Sequence, residues 1–325
     1  MSTVTDDRPE ADQAQPEDER PTGQPSEEAA GLVRRQDFDA DAPLDIDVSI
    51  SSGRVTINLV DEPGASVEVR HDPSAESSWM HGLASVMNWV NDRFGDAGMA
   101  QAAPAEVVER TRIELIGKRL VVHTGRGQFG MTPLELVPVA VTVRAPVGSQ
   151  LELRSGSAIV TVTGQAGRVT VSGGAGDVAI DRADGRAQIK VGSGALRLGP
   201  MLGGLDARSG TGEIEVSSVG GPTTLVTGSG DVWLGAVQSD VMARTGSGDL
   251  VVADAACGDV ELITGSGEIR VGVRPGTRAM VDLRSGSGQA RSELNVHDRP
   301  QADAPRLRVR GRTGSGNAVI TTAAG

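Results

Sequence analysis

Acidic side chains follow a glycine at regular intervals in the second half of this sequence: Asp177, Glu213, Asp231, Asp249 and Glu268. Carboxylates in series can hold a hard cation such as calcium, which takes oxygen ligands from several chain positions. Calcium-binding β-rolls use a GGxGxD unit, with Asp two places after Gly. Here the acid follows Gly directly and recurs once per 18 residues. Arg154, Lys190, Arg208, Arg244 and Arg284 flank the same steps. The pattern therefore points to surface charge ladders, with Arg208–Glu213 and Arg244–Asp249 as candidate pairs of small individual worth.

Other chemistry-bearing groups fail on spacing. Asp37, Asp39, Asp41, Asp45 and Asp47 alternate in DFDADAPLDID, but the Gly and Glu that an EF-hand loop needs are replaced by Ala42 and Val48. GRGQFG (Gly125, Gly127, Gly130) follows a strand-like run, yet Pro133 and Pro138 stop the helix that a dinucleotide site requires. His71, His81, His123 and His297 are dispersed. Cys257 is the only cysteine, so no internal disulfide can form. No GxSxG, HExxH or P-loop motif occurs. The expectation is a non-enzymatic protein with no catalytic residue, cofactor or metal site.

The elements that would position these side chains are legible in the glycines. A GSG-type step recurs with its first glycine at Gly156, Gly174, Gly192, Gly210, Gly228, Gly246, Gly265, Gly286 and Gly314, at intervals of 18, 18, 18, 18, 18, 19, 21 and 28. Apolar columns accompany it, Val160, Val178, Leu196, Ile214, Val232, Leu250 and Ile269 with a second column two residues on. Apolar, variable, apolar is the signature of a strand buried on one face. A second pair of columns begins nine residues earlier, at Leu151, Val169, Ala187, Leu205, Thr223, Val241, Val260 and Val281. Each coil thus carries two strands, and the glycine steps are structural turns, since glycine reaches positive φ without steric cost. A short fixed period predicts an all-β parallel solenoid whose coils are stable only as an array.

The formal net charge is −12. Residues 1–31 hold nine acids and two arginines, and their Pro, Glu, Asp and Gln leave little to bury, so residues 1–33 read as a disordered acidic tail. This balance argues against nucleic acid, which wants a basic stripe. No apolar run is long enough for a membrane span and the N-terminus lacks a signal-peptide pattern. The expected location is cytoplasmic, with the cell surface by a leaderless route as the alternative.

Residues 34–325 read as one domain. Strands are expected over 44–50, 54–60, 66–71, 106–116, 119–124 and 136–146, and regular repeats over 151–325. Between them, 76–104 reads as a helical insertion and linker. Trp79, Leu83, Val86, Trp89, Val90 and Phe94 make an amphipathic helix over 76–95, suited either to capping the solenoid or to binding a partner. Residues 290–306 read as a loop that lengthens the last interval.

Repeated GSGD and GSGE steps followed by alternating strands, with divergent strands upstream, resemble the bacterial putative-adhesin family of β-strand-repeat domains of unknown function. The resemblance covers roughly 34–325 and implies an autotransporter-adhesin-like solenoid without catalytic residues. The function expected is a scaffold or adhesin-like binding module acting through protein–protein contact or self-assembly, by the helix or the solenoid ends. A carbohydrate-binding surface adhesin is the alternative, and a carbohydrate-active enzyme the least favoured.

Overall fold

The computed structural model describes residues 33–72, 104–124, 137–294 and 305–323. The acidic tail, the amphipathic segment 76–95 and the GRGQFG motif lie outside the described residues.

The chain winds into a parallel β-solenoid. It begins with β1 (Val33–Phe38), β2 (Asp45–Val60), β3 (Ala65–His71), a short helix α1 (Pro104–Arg110), β4 (Arg112–Ile116), β5 (Arg119–His123), β6 (Val139–Pro146) and β7 (Gln150–Ala166). Then come two strands per coil: β8 (Val169–Ala175) and β9 (Val178–Ala183), β10 (Ala187–Ser193) and β11 (Leu196–Met201), β12 (Leu205–Thr211) and β13 (Ile214–Val219), β14 (Thr223–Ser229) and β15 (Val232–Val237). β16 (Val241–Ser247) and β17 (Leu250–Ala255), β18 (Gly258–Ser266) and β19 (Ile269–Val273), β20 (Ala279–Ser287) and β21 (Ala290–Ser292), β22 (Leu307–Ser315) and β23 (Ala318–Thr322) complete it.

Equivalent strands of successive coils pair in parallel and in register. Val232 lies beside Ile214 on one side and Leu250 on the other, and Ala187 lies between Val169 and Leu205. The apolar columns form the core: Val160, Leu196, Ile214, Leu250 and Ile269 are buried, as are Leu151, Val169, Leu205 and Val260. Outward neighbours stay in water, as the two-residue period requires.

Two departures from simple succession matter. The first is at the N-terminal end. β5 and β6 pair in parallel with the two halves of β2, but β4 then runs antiparallel on β5, β3 antiparallel on β6, and β1 antiparallel on β3. α1 packs against β1 and β3 with Val107 and Val108 buried, and Arg34 donates to the Glu109 and Thr111 carbonyls at its end (2.9 and 2.6 Å). α1 thus covers the apolar interior at this end, while β1 and β4 each keep one edge without a strand partner among the described residues. The segment 106–116, expected as one strand, is corrected to helix followed by β4. Pro104 at the helix start, Glu106 in the first turn and a Glu106–Arg110 pair (2.6 Å) override the β preference of the two valines. Pro104, expected as the last residue of the helical insertion and linker, is the first residue of α1.

The second departure is at the other end. The final coil, β22 and β23, does not stack outside β20 and β21. β22 pairs with β18 on one edge and β20 on the other; β23 pairs with β19 and β21. The last coil in sequence is thus the penultimate coil in space. Among the described residues, β20 and β21 have only this one neighbour, and Val281 and Leu283 are half-buried where their inner counterparts Val260 and Leu262 are fully enclosed.

Candidate functional site

The glycine step was expected as a turn and turns out to divide two jobs. The first glycines lie inside strands. A Cβ on Gly228 would sit 2.6 Å from the Gly210 carbonyl oxygen, and one on Gly246 would sit 2.6 Å from that of Gly228. Close coil-to-coil approach, rather than turn geometry, requires them. The bend belongs to the second glycine, as at Gly230 (φ 144°), which only glycine adopts at low cost. Threonines just before the step, buried despite their hydroxyls, cross-link coils: Thr245 Oγ1 donates to the Gly230 carbonyl (3.1 Å) and Thr313 to that of Gly267 (2.9 Å).

The acids after the glycines do not assemble a cation site. Among the described residues no group of three or more His, Cys, Asp or Glu could hold a metal. The three aspartates among these acids accept backbone N–H groups of the next coil, and Glu268 pairs with Arg270. Asp231 Oδ1 accepts from Asp249 N (2.8 Å), Asp249 Oδ1 from Glu268 N (2.7 Å), and Asp177 Oδ1 from Ala195 N (2.9 Å). Asn317 does the same for Gln289 N (3.0 Å). The expected pairing of Arg208 with Glu213 is replaced by Arg208–Asp206 (3.1 Å), two residues apart on one strand face.

Three places on the surface remain as candidate sites. The first is a polar cluster at the N-terminal end. Of the alternating acids, Asp37, Asp39, Asp41 and Asp45 are exposed, but Asp47 is only 4% exposed. Arg119 donates to Asp47 Oδ2 (2.6 Å) and Arg154 to Oδ1 (3.2 Å). His123 Nε2 lies 3.2 Å from Oδ1 without forming an aligned hydrogen bond. Burial alone would raise the Asp47 carboxyl, but the Arg119 hydrogen bond and the nearby His123 and Arg154 outweigh it and hold it below its ordinary value. The cluster was not legible in sequence because its members come from three strands, 72 and 107 residues from Asp47. The only available signal was that Asp47 and Glu152 share an outward register position.

The second is an open depression of about 660 Å³ on the flank, lined by Ser155, Ser172, Lys190, Arg208 and Ser209 over a glycine floor. The third is the uncovered C-terminal coil. Met280 there is 52% exposed and stands beside Arg308, while Asp282 and Arg284 stand beside Arg310 and Arg312. Trp79, Leu83, Val86, Trp89, Val90 and Phe94, expected from their spacing on an amphipathic helix, lie outside the described residues. Among those described, no helix is long and apolar enough to cross a membrane.

A family model described as Toastrack DUF4097 matches residues 37–323. No curated protein matches the chain. Several solved structures match it at very low identity. One described as a putative adhesin from Bacteroides fragilis is 8% identical, with 89% of this chain and 97% of that one covered and a TM-score of 0.39. A second putative adhesin, from Parabacteroides distasonis, is 10% identical over 90% and 98% (TM-score 0.35). A structure from the same organism described as a putative lipid binding protein is 11% identical over 91% and 96% (TM-score 0.31).

Proposed function

The chain belongs to the Toastrack DUF4097 family, and from there we propose that it works without catalysis, as a β-solenoid scaffold that engages protein through its C-terminal coil. The observation that carries this is the asymmetry of the two ends. At one end α1 packs Val107 and Val108 into the core beside the antiparallel edge strands β1 and β4; at the other, among the described residues, β20 and β21 leave an unpaired edge over half-buried Val281 and Leu283 with no helix against it. Unpaired edges are templates for another chain. The serial aspartates Asp177, Asp231 and Asp249 are already engaged as acceptors between coils.

The test is a pull-down and a light-scattering series on the full chain and on Val281→Lys, which points a charge inward at the edge, a device that blocks strand pairing. Capture or self-association lost in the variant, with melting little changed, supports the reading. Identical behaviour of the two proteins overturns it. Deleting 76–95 in parallel measures whether the amphipathic segment supplies a second docking element.

The flank depression favours one further reading, a carbohydrate-binding face, since Ser155, Ser172 and Ser209 offer hydroxyls and Lys190 and Arg208 offer donors along successive coils. Glycan binding lost in Lys190→Ala, without turnover, is its expected signature. Recovery of the protein in the cytosol alone would remove the surface-adhesin version and support a cytoplasmic scaffold.

A further inference from the structure

We propose that the acidic N-terminal segment, residues 1–32, of a second copy docks on the open C-terminal coil, so that copies join head to tail. The inference rests on that coil being a docking surface and names what docks there.

Charge selects the occupant. The chain as a whole carries −12, but its last two coils reverse the sign. Described residues 278–294 and 305–312 hold seven arginines against one Asp and one Glu. On one face Arg308, Arg310 and Arg312 of β22 stand beside Met280, Asp282 and Arg284 of the edge strand. Asp282 takes up Arg284 (3.0 Å), and Asp259 is shared by Arg308 and Arg310 (3.6 and 3.9 Å). Cations remain in excess around an exposed methionine. Two such ends brought together would repel, which disfavours a symmetric end-to-end dimer. Residues 1–31 carry nine acids and two arginines, and so are the complementary partner within this sequence.

Reach selects the copy. Val33 begins β1, the outermost strand at the covered end. Along that face the order is β1, β3, β6, β2, β7, β9, β11, β13, β15, β17, β19, β23, β21. Twelve spacings of about 4.8 Å place the open end roughly 58 Å away. For 32 residues the random-coil relation gives a root-mean-square span of about 30 Å. A tail reaches its own far end rarely, whereas it lies next to the open end of a copy stacked against its covered end. Such a heterologous contact repeats from copy to copy, giving rings or filaments.

The test is sedimentation velocity on the full-length protein over a concentration series, at about 50 mM and about 500 mM salt, where screening lengths differ severalfold. Wild type should associate at low salt and dissociate at high salt. Neutralising the tail (Glu17→Gln, Asp18→Asn, Glu19→Gln) and reversing the coil (Arg284→Glu with Arg312→Glu) should each weaken association about tenfold or more. Combining the reversed coil with Glu17→Lys, Asp18→Lys and Glu19→Lys should restore it. Unchanged melting in every variant checks the fold. Association that is indifferent to the tail changes but lost in Val281→Lys overturns this inference and leaves the docking surface standing. A wild type that stays monomeric throughout overturns the head-to-tail assembly, and the pull-down then decides the broader reading alone.

Discussion

At the scale of single residues, the repeat is held by three small devices, each with its own test. Gly228 must be glycine because the coil below comes too close: Gly228→Ala should cost about 1–3 kcal/mol through overpacking. Gly276, whose added Cβ would meet nothing within 4 Å but whose φ is 79°, should lose only the left-handed penalty of about 1–2 kcal/mol on change to Ala. Urea unfolding of the two variants compares them. For the carboxylate staple the protein contains its own control, since Asn317 makes the bond that Asp231 makes. Asp231→Asn should therefore be near neutral and Asp231→Ala should lose about 1 kcal/mol, the net worth of one hydrogen bond. Asp47 is different, because its carboxyl is held below the unfolded value of about 3.9. Its contribution is complete above that value and disappears as pH falls through the lower folded one. Asp47→Asn should lower stability at neutral pH and flatten the acid limb of the stability curve; an acid limb identical to wild type would show that the charge is not engaged.

At the scale of elements, inner coils and the end coil should respond unequally to the same change. Val309 and Val281 occupy one column. The order along the chain would make Val281 the enclosed member and Val309 the terminal one, but the structure reverses this, with Val309 at 0% exposure and Val281 half-buried. Val309→Ala should cost about 2 kcal/mol from lost burial and residual cavity, Val281→Ala clearly less. Equal losses would contradict the coil order. The comparison also marks what was legible beforehand. Spacing and alternation are local, so Val232 over Leu250 and the two strands per coil were readable. The insertion of β22 between β18 and β20 depends on which coil offers the better partner, and an interval of 28 residues only hinted at it. Leu283 covers Gly311, where an added Cβ would meet its Cδ2 at 2.8 Å; that size match between β20 and β22 has no period to betray it. The helix α1 was misread because two valines resemble a strand when the burial they serve lies on β1 and β3.

At the scale of the whole molecule, polarity of the ends is the property that function can use. On the scaffold reading proposed above, two ends that differ in covering and in charge dock in one direction only. Added salt should shift the association equilibrium while leaving the melting temperature of the array nearly constant, because exposed charges are screened and the apolar columns are not; a melting temperature that fell together with association would mean the copies stabilise one another's fold. The buried position of the last coil has a further effect, on assembly in time. During synthesis each earlier coil can settle on a finished neighbour as it emerges, but β20 and β21 appear before the strands they lean on exist. Their native neighbours are made only afterwards, so this coil takes its final place once β22 and β23 lie between it and β18 and β19. A variant lacking β22 and β23 therefore loses the wedge that seats the preceding coil.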